Sequence, residues 1–444
     1  MPIGALNSGI SKKGYVTPEF EKIWLEPAVV QNIVTVEVTL AKVQGELGIL
    51  PADVSQKISQ FSTISPELVK KVEEGKIGNP LIAALDALRS EIPDAYRGWV
   101  HYGATSQDIL DTARALQIKQ SLDWIEEQQT ELENLISSLA KEHSSTLMVA
   151  RTNGQHALPT TLGMRFARWL TELRRCHSRL ADVRSRALLI QFSGAAGTYA
   201  SMGNQGLRIA EAMAKELGLV FEAVPWHASR DSITELCCVL AIYGQSLAKI
   251  AEDLFDMQRT DFMEARESMD AHASGSSTMP QKLNPFSTMK ISVGARLAAG
   301  MAATVLTQPP GSFERDHRQL EVERDALPQI FVAVEGAAQK LNKLLPRLSF
   351  SKENLSQATH KEGVLLLTES LMMHLAPILG QEKAHQLLQD FSAANRSQGT
   401  SFEEFLSSHP EVKKKAGDLD WDWLTDPKSY LGLSESIATC TAND

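Results

Sequence analysis

Three short stretches of this 444-residue chain carry more hydroxyls, amides and histidines than a helical core requires. The first is His101-Tyr102-Gly103-Ala104-Thr105-Ser106-Gln107-Asp108. The second is Arg151-Thr152-Asn153-Gly154-Gln155-His156-Ala157-Leu158-Pro159. The third, SGSSTMPQKLNP over 274–285, sets Ser276 and Ser277 beside Lys282 and Asn284 between glycine and proline punctuation. Lys282 offers a point charge to a carboxylate, and Asn284 a neutral donor. A serine acts as a base only if cations and backbone amides stabilise its alkoxide, because a free hydroxyl is far too weak an acid. Thr105 and Ser106 fall where a helix should begin, so their hydroxyls suit either a plain N-cap or an anion site. Arg151, Thr152, Asn153, Gln155 and His156 put five hydrogen-bonding side chains in six positions, a composition shared by binding loops and solvated ones. Pro159 is expected to open the next helix. The sequence holds no GxxxxGK[ST], GxGxxG or GxSxG motif and no metal-ligand spacing. The pattern favours acid, base and oxyanion chemistry without a cofactor.

Long helices must position these stretches. Ile233, Leu236, Leu240, Tyr243, Leu247, Ile250, Leu254 and Met257 follow one another at steps of three and four, the seam of a helix packed lengthwise. Ile118, Leu122, Ile125, Leu132, Ile136 and Leu139 repeat that pattern, with Gln129 as a polar interruption. Further helices are expected over 160–191 and 286–306. The expected fold is all-α: an N-terminal helical domain over 1–108, a central long-helix bundle over 109–349 and a small helical domain over 350–444. Helices this long need partners along their whole length, which favours an oligomer.

The net charge of −10 argues against a nucleic-acid partner, without preventing a local basic pocket from taking an anionic metabolite. Cys176, Cys237, Cys238 and Cys440 show no framework spacing and are expected to be reduced thiols. No run of about 18 consecutive apolar residues and no secretory core is visible, so a cytoplasmic protein without a membrane partner is expected.

With these residues in view, the chain resembles the fumarase/aspartase superfamily. GSSTMPQKLNP fits that family's GSSxMPxKxNP loop, and HYGATSQDILDTA and ARTNGQHALPTT resemble its other two blocks. The resemblance spans nearly the whole chain. It implies an all-α homotetramer whose active sites combine blocks from three subunits. The implied chemistry removes a proton beside a carboxylate, passes through an aci-carboxylate intermediate and needs no organic cofactor. Carried over residue by residue, Ser276 is the base, with Ser277 adjacent. Lys282 and Asn284 hold a substrate carboxylate, Thr105 and Ser106 bind one at the helix start, and His101 and Thr152 face the substrate.

Within the superfamily, HYGATSQD, QHALP, SGAAGTYASMG, Pro225-Trp226-His227 and LTDPKSYLG look most like 3-carboxy-cis,cis-muconate cycloisomerases. That likeness makes His156 a proton-transfer candidate. Adenylosuccinate lyases are similar at Phe313-Glu314-Arg315-Asp316, where Arg315 is an anion contact under either reading. Their catalytic histidine after Arg-Thr is Asn153 here, and a neutral amide cannot cycle a proton. The cycloisomerase loop usually reads MPHKRNP, where this chain has Gln281 and Leu283. Fewer cations suit a substrate with fewer anions than a tricarboxylate. A catalytically silent helical scaffold is the third reading, against which the retained serines, Lys282 and Asn284 weigh.

Overall fold

The computed structural model describes Leu6 and residues 8–74, 79–268, 278–279 and 281–443. The described chain is dominated by helices. The longest, Ser106–Glu142, has 37 residues and extends about 55 Å at 1.5 Å per residue. Asp231–Met257, Phe286–Leu306 and His317–Leu344 are the other long bundle elements. The expected seam of the Asp231 helix is buried from Ile233 to Met257. That helix stops at Met257, and Ala265–Glu267 forms a short strand. By length and mean composition Asp231–Met257, Phe286–Leu306 and Lys352–Leu379 are apolar enough to cross a membrane. In Asp231–Met257 those apolar side chains are the bundle core.

The chain divides into two compact units, each assembled from three separate stretches. The first comprises 1–132, 173–252 and 286–343. Its N-terminal core gathers Ile33, Leu40, Leu81 and Leu88 around Ile109 and Phe192. Trp24 stacks on Phe331 with ring centroids 5.3 Å apart, and Phe20 meets Trp124 edge-on. Gly336 lets the incoming chain lie on its helix, because a Cβ there would sit 1.7 Å from the Tyr15 carbonyl oxygen. The neighbouring Glu335 is buried and accepts a 3.0 Å hydrogen bond from Trp124 Nε1. Burial raises its pKa to about 7.

The second unit comprises 133–172, 253–285 and 344–444. Here the expectation for 151–161 needs correction. The stretch is an antiparallel hairpin, β1 (Leu147–Thr152) and β2 (Gln155–Thr161), and Pro159 pairs with Val149 inside it. The next helix begins at Leu162 instead of Thr160. Asn153 and Gly154, with φ of 52° and 76°, form the two-residue connection. An Asn-Gly pair with both φ positive matches the type I′ turn that suits the right-handed twist of paired strands. The C-terminal helices pack around Leu371, Leu388, Phe391 and Phe405.

Candidate active site

In the first unit the His101–Ser106 turn is tied down from several sides. Gln44 Nε2 donates to the Tyr102 carbonyl oxygen at 2.8 Å, and Ser201 Oγ to that of Gly103 at 3.0 Å. His101 has a φ of 70°, and its Nδ1 lies 2.6 Å from Oε1 of buried Glu37. That contact leaves Nε2 for a ligand. Thr105 stands at the mouth of the 37-residue helix, and Arg315 Nη1 donates to its Oγ1 at 2.9 Å. The first-turn amides of a helix lack intrahelical acceptors and carry partial positive charge. Thr105, Ser106, His101 and Arg315 therefore compose a cationic, donor-rich pole suited to a carboxylate.

Beneath the pole lie charged and polar residues set apart by their burial. Asp108, fully buried, accepts from the backbone amides of Thr105, Ser193 and Gly194 at 3.0–3.1 Å, and from His227 Nε2 at 3.0 Å. Three residues on, Asp111 takes both terminal nitrogens of Arg230, at 2.9 and 3.1 Å. Arg230 Nε also donates to Glu323 at 2.9 Å, and Arg114 reaches Glu323 at 3.4 Å. Although burial works against its charge, the paired carboxylates of Asp111 and Glu323 raise the Arg230 pKa above its ordinary value. Asp316, the neighbour of Arg315, is held well below the usual carboxylate range by Arg318, whose Nε donates to it at 3.0 and 3.1 Å. The sequence signal for this lattice was present in the acids of SQDILD and in SRDS. Only their burial distinguishes them from surface charges.

In the second unit Arg151, expected to bind substrate, has its fork on a protein carboxylate. Nη1 and Nη2 donate to Glu264 at 3.1 and 2.6 Å, with Phe262 under the guanidinium at 4.7 Å. Across the hairpin from Arg151 sits His156, whose Nδ1 lies 3.0 Å from Glu362 Oε1. Glu362 ends the helix Lys352–Glu362 and was not found from sequence, since no motif marks it. Thr152, Asn153 and Gln155 are exposed at the hairpin tip. Lys282 is exposed and Asn284 half-buried, with the Lys282 amide donating to Met279 O at 3.0 Å. Ser276 and Ser277 lie outside the described residues.

The structure thus brings His101, Thr105, Ser106 and Arg315 together in one unit. In the other it joins Arg151 to His156 through one strand register, and Thr152 to Gln155.

Comparison with known proteins identifies the relatives of the chain. A family model described as Lyase matches residues 52–300, and one for the adenylosuccinate lyase C-terminus matches 365–439. Adenylosuccinate lyase of Pyrococcus abyssi is 34% identical over 434 residues, covering 97% of this chain and 96% of that one. N-acetyl-S-(2-succino)cysteine lyase of Dickeya dadantii is 31% identical, covering 94% and 92%. The crystal structure of the 3-carboxy-cis,cis-muconate lactonizing enzyme from Pseudomonas putida superimposes with a TM-score of 0.88 at 28% identity, covering 98% of each chain.

Proposed function

The chain belongs to the fumarase/aspartase superfamily of lyases, and from that premise we propose that it catalyses a cofactor-independent elimination on a succinyl conjugate. The observation that carries this reading is the pole at Thr105, where Arg315 and a helix N-terminus converge on one hydroxyl. An aci-carboxylate needs several preorganised donors aimed at one group, and such donors commonly supply the largest catalytic contribution.

In the proposed reaction the Ser276 alkoxide takes the proton from the carbon beside a carboxylate. The electron pair moves into that carboxylate, then returns to form the carbon–carbon double bond as the bond to the leaving group breaks. His156 delivers a proton to the departing heteroatom, and fumarate is released. Glu362 on Nδ1 orients the ring and leaves Nε2 for that transfer. Lys282 and Asn284 receive the second carboxylate. Arg151 acts by bracing β1, since its two terminal nitrogens are engaged by Glu264. Thr152, Asn153 and Gln155 contact substrate from the hairpin tip.

The number of cations favours a dicarboxylate. With Arg151 engaged, Arg315 and Lys282 are the candidate charges, one for each carboxylate. A homotetramer with shared sites would bring the exposed hairpin tip of one copy to a pole supplied by another. The apolar face of Phe286, Met289 and Val293, exposed on its helix, supports such assembly. A muconate-type cyclisation is the second reading, supported by His156 in its QHALP setting.

The test is turnover of a panel of N- and S-succinyl conjugates and 3-carboxymuconate, read by fumarate or lactone formation. Fumarate release from a conjugate is expected. Lactone formation alone would favour the second reading. Glu362→Gln is expected to lower kcat more than it changes KM.

A further inference from the structure

Asp108 is built beyond what helix capping requires. In a capping box an acid three residues into the helix returns one hydrogen bond to the cap amide, and surface exposure suffices for that. Here the carboxylate is 0% exposed, and its oxygens take four N–H donors from three separate segments. Oδ2 serves the amides of Thr105 and Gly194, while Oδ1 serves the Ser193 amide and His227 Nε2. Withdrawing an ionised carboxylate from water is costly, and a complete donor set is what offsets that cost.

His227 is equally deep, at 1% exposure. An ionised carboxylate only accepts, so the ring hydrogen shared with Asp108 lies on Nε2. Its Nδ1 is buried without a partner, in the neighbourhood of Gly197, where an added Cβ would come within 3.9 Å of it. The backbone carbonyl of His227 is fixed in turn by Gln107 Nε2 at 2.9 Å, from the same first turn of the long helix. The ring therefore reaches the Thr105 pole through Asp108.

We propose that Asp108 and His227 are positioning residues for carboxylate binding. The pair fixes the Thr105 amide, and through it the direction of the Thr105 hydroxyl and of the first-turn amides. His227 supplies the one side-chain donor among the four and holds Oδ1, so that Oδ2 stays on the Thr105 amide. The inference rests on Thr105 and Ser106 being the carboxylate pole of the proposed reaction.

The experiment compares His227→Leu, His227→Gln and Thr105→Ala in the full-length protein, with KM and kcat on the best conjugate substrate and thermal melting in parallel. His227→Leu removes the donor and is expected to raise KM at least ten-fold while kcat stays within about three-fold. His227→Gln places an amide donor near the Nε2 position and is expected to recover most of the lost affinity. If His227→Leu does not fold, His227→Asn takes its place. Its donor is too short to reach Asp108, and the same rise in KM is expected. Wild-type KM in the donorless variant overturns the proposal. So does equal loss in the donorless variant and in His227→Gln, and so does a collapse of kcat without change in KM. Thr105→Ala separates the two readings. If it raises KM while the donorless variant does not, the pole stands and the positioning role falls. If Thr105→Ala leaves KM unchanged, the pole itself is wrong.

Discussion

The two chemistry-bearing regions are held in opposite ways. At the Thr105 turn every approach is braced: Glu37 on His101, Arg315 on Thr105, Asp108 beneath, and the Asp111–Arg230–Glu323 lattice below that. At the hairpin tip Thr152, Asn153 and Gln155 stand exposed on a two-residue turn, and Lys282 is exposed as well. Under the proposed reaction, the difference separates carboxylate binding from proton transfer. A carboxylate pole must be rigid before the substrate arrives, because donors that reorganise lose most of their advantage. Groups that move a proton or close over the substrate can be completed by another chain or a moving loop.

That contrast can be broken by substitution, and the largest effect is expected at Arg230. Arg230→Met leaves Asp111 and Glu323 buried without their shared cation, and should cost about 3–5 kcal/mol in denaturant unfolding. A loss near zero would show that the lattice is dispensable.

Glu335 is the soft point within the braced unit. Its folded-state pKa of about 7 lies above the ordinary 4.5. Its contribution therefore favours the folded state fully below about pH 4.5 and is lost as pH rises through about 7. Glu335→Gln keeps the neutral shape, so melting curves should show the variant gaining on wild type between pH 5 and pH 8, by roughly 3 kcal/mol. A pH-independent difference would contradict the assignment.

At the hairpin the effects shrink. Asn153→Ala forces an ordinary side chain into positive φ and should cost roughly 1–2 kcal/mol, whereas Asn153→Gly should fall within a few tenths. Lys282→Ala should leave stability within about 0.5 kcal/mol, as expected of an exposed side chain, yet raise KM for the dicarboxylate. A stability loss there larger than that of Arg230→Met would invert the comparison.

Much of this was legible in the sequence, because periodicity reports burial directly. The seam from Ile233 to Met257 and the start of the long helix at Ser106 follow from apolar spacing and hydroxyl capping. The hairpin was not legible as such. Arg151 to His156 alternates poorly, and Pro159 reads as a helix opener unless its partner strand is known. Asn153-Gly154 is its one local signal. The partners Glu37, Glu264 and Glu362 lie between 64 and 206 residues from the groups they hold. No local pattern can mark a carboxylate whose role is set by a contact that distant. Asp108 was visible in the motif but not its burial, which is what gives it significance.

The most direct test of the account is steady-state turnover of a succinyl conjugate by wild-type protein and Ser276→Ala, followed by fumarate release. Measurable wild-type turnover is expected, with kcat lower by roughly 10²- to 10⁴-fold in the variant and the folded state intact. Equal kcat in the two proteins would contradict it.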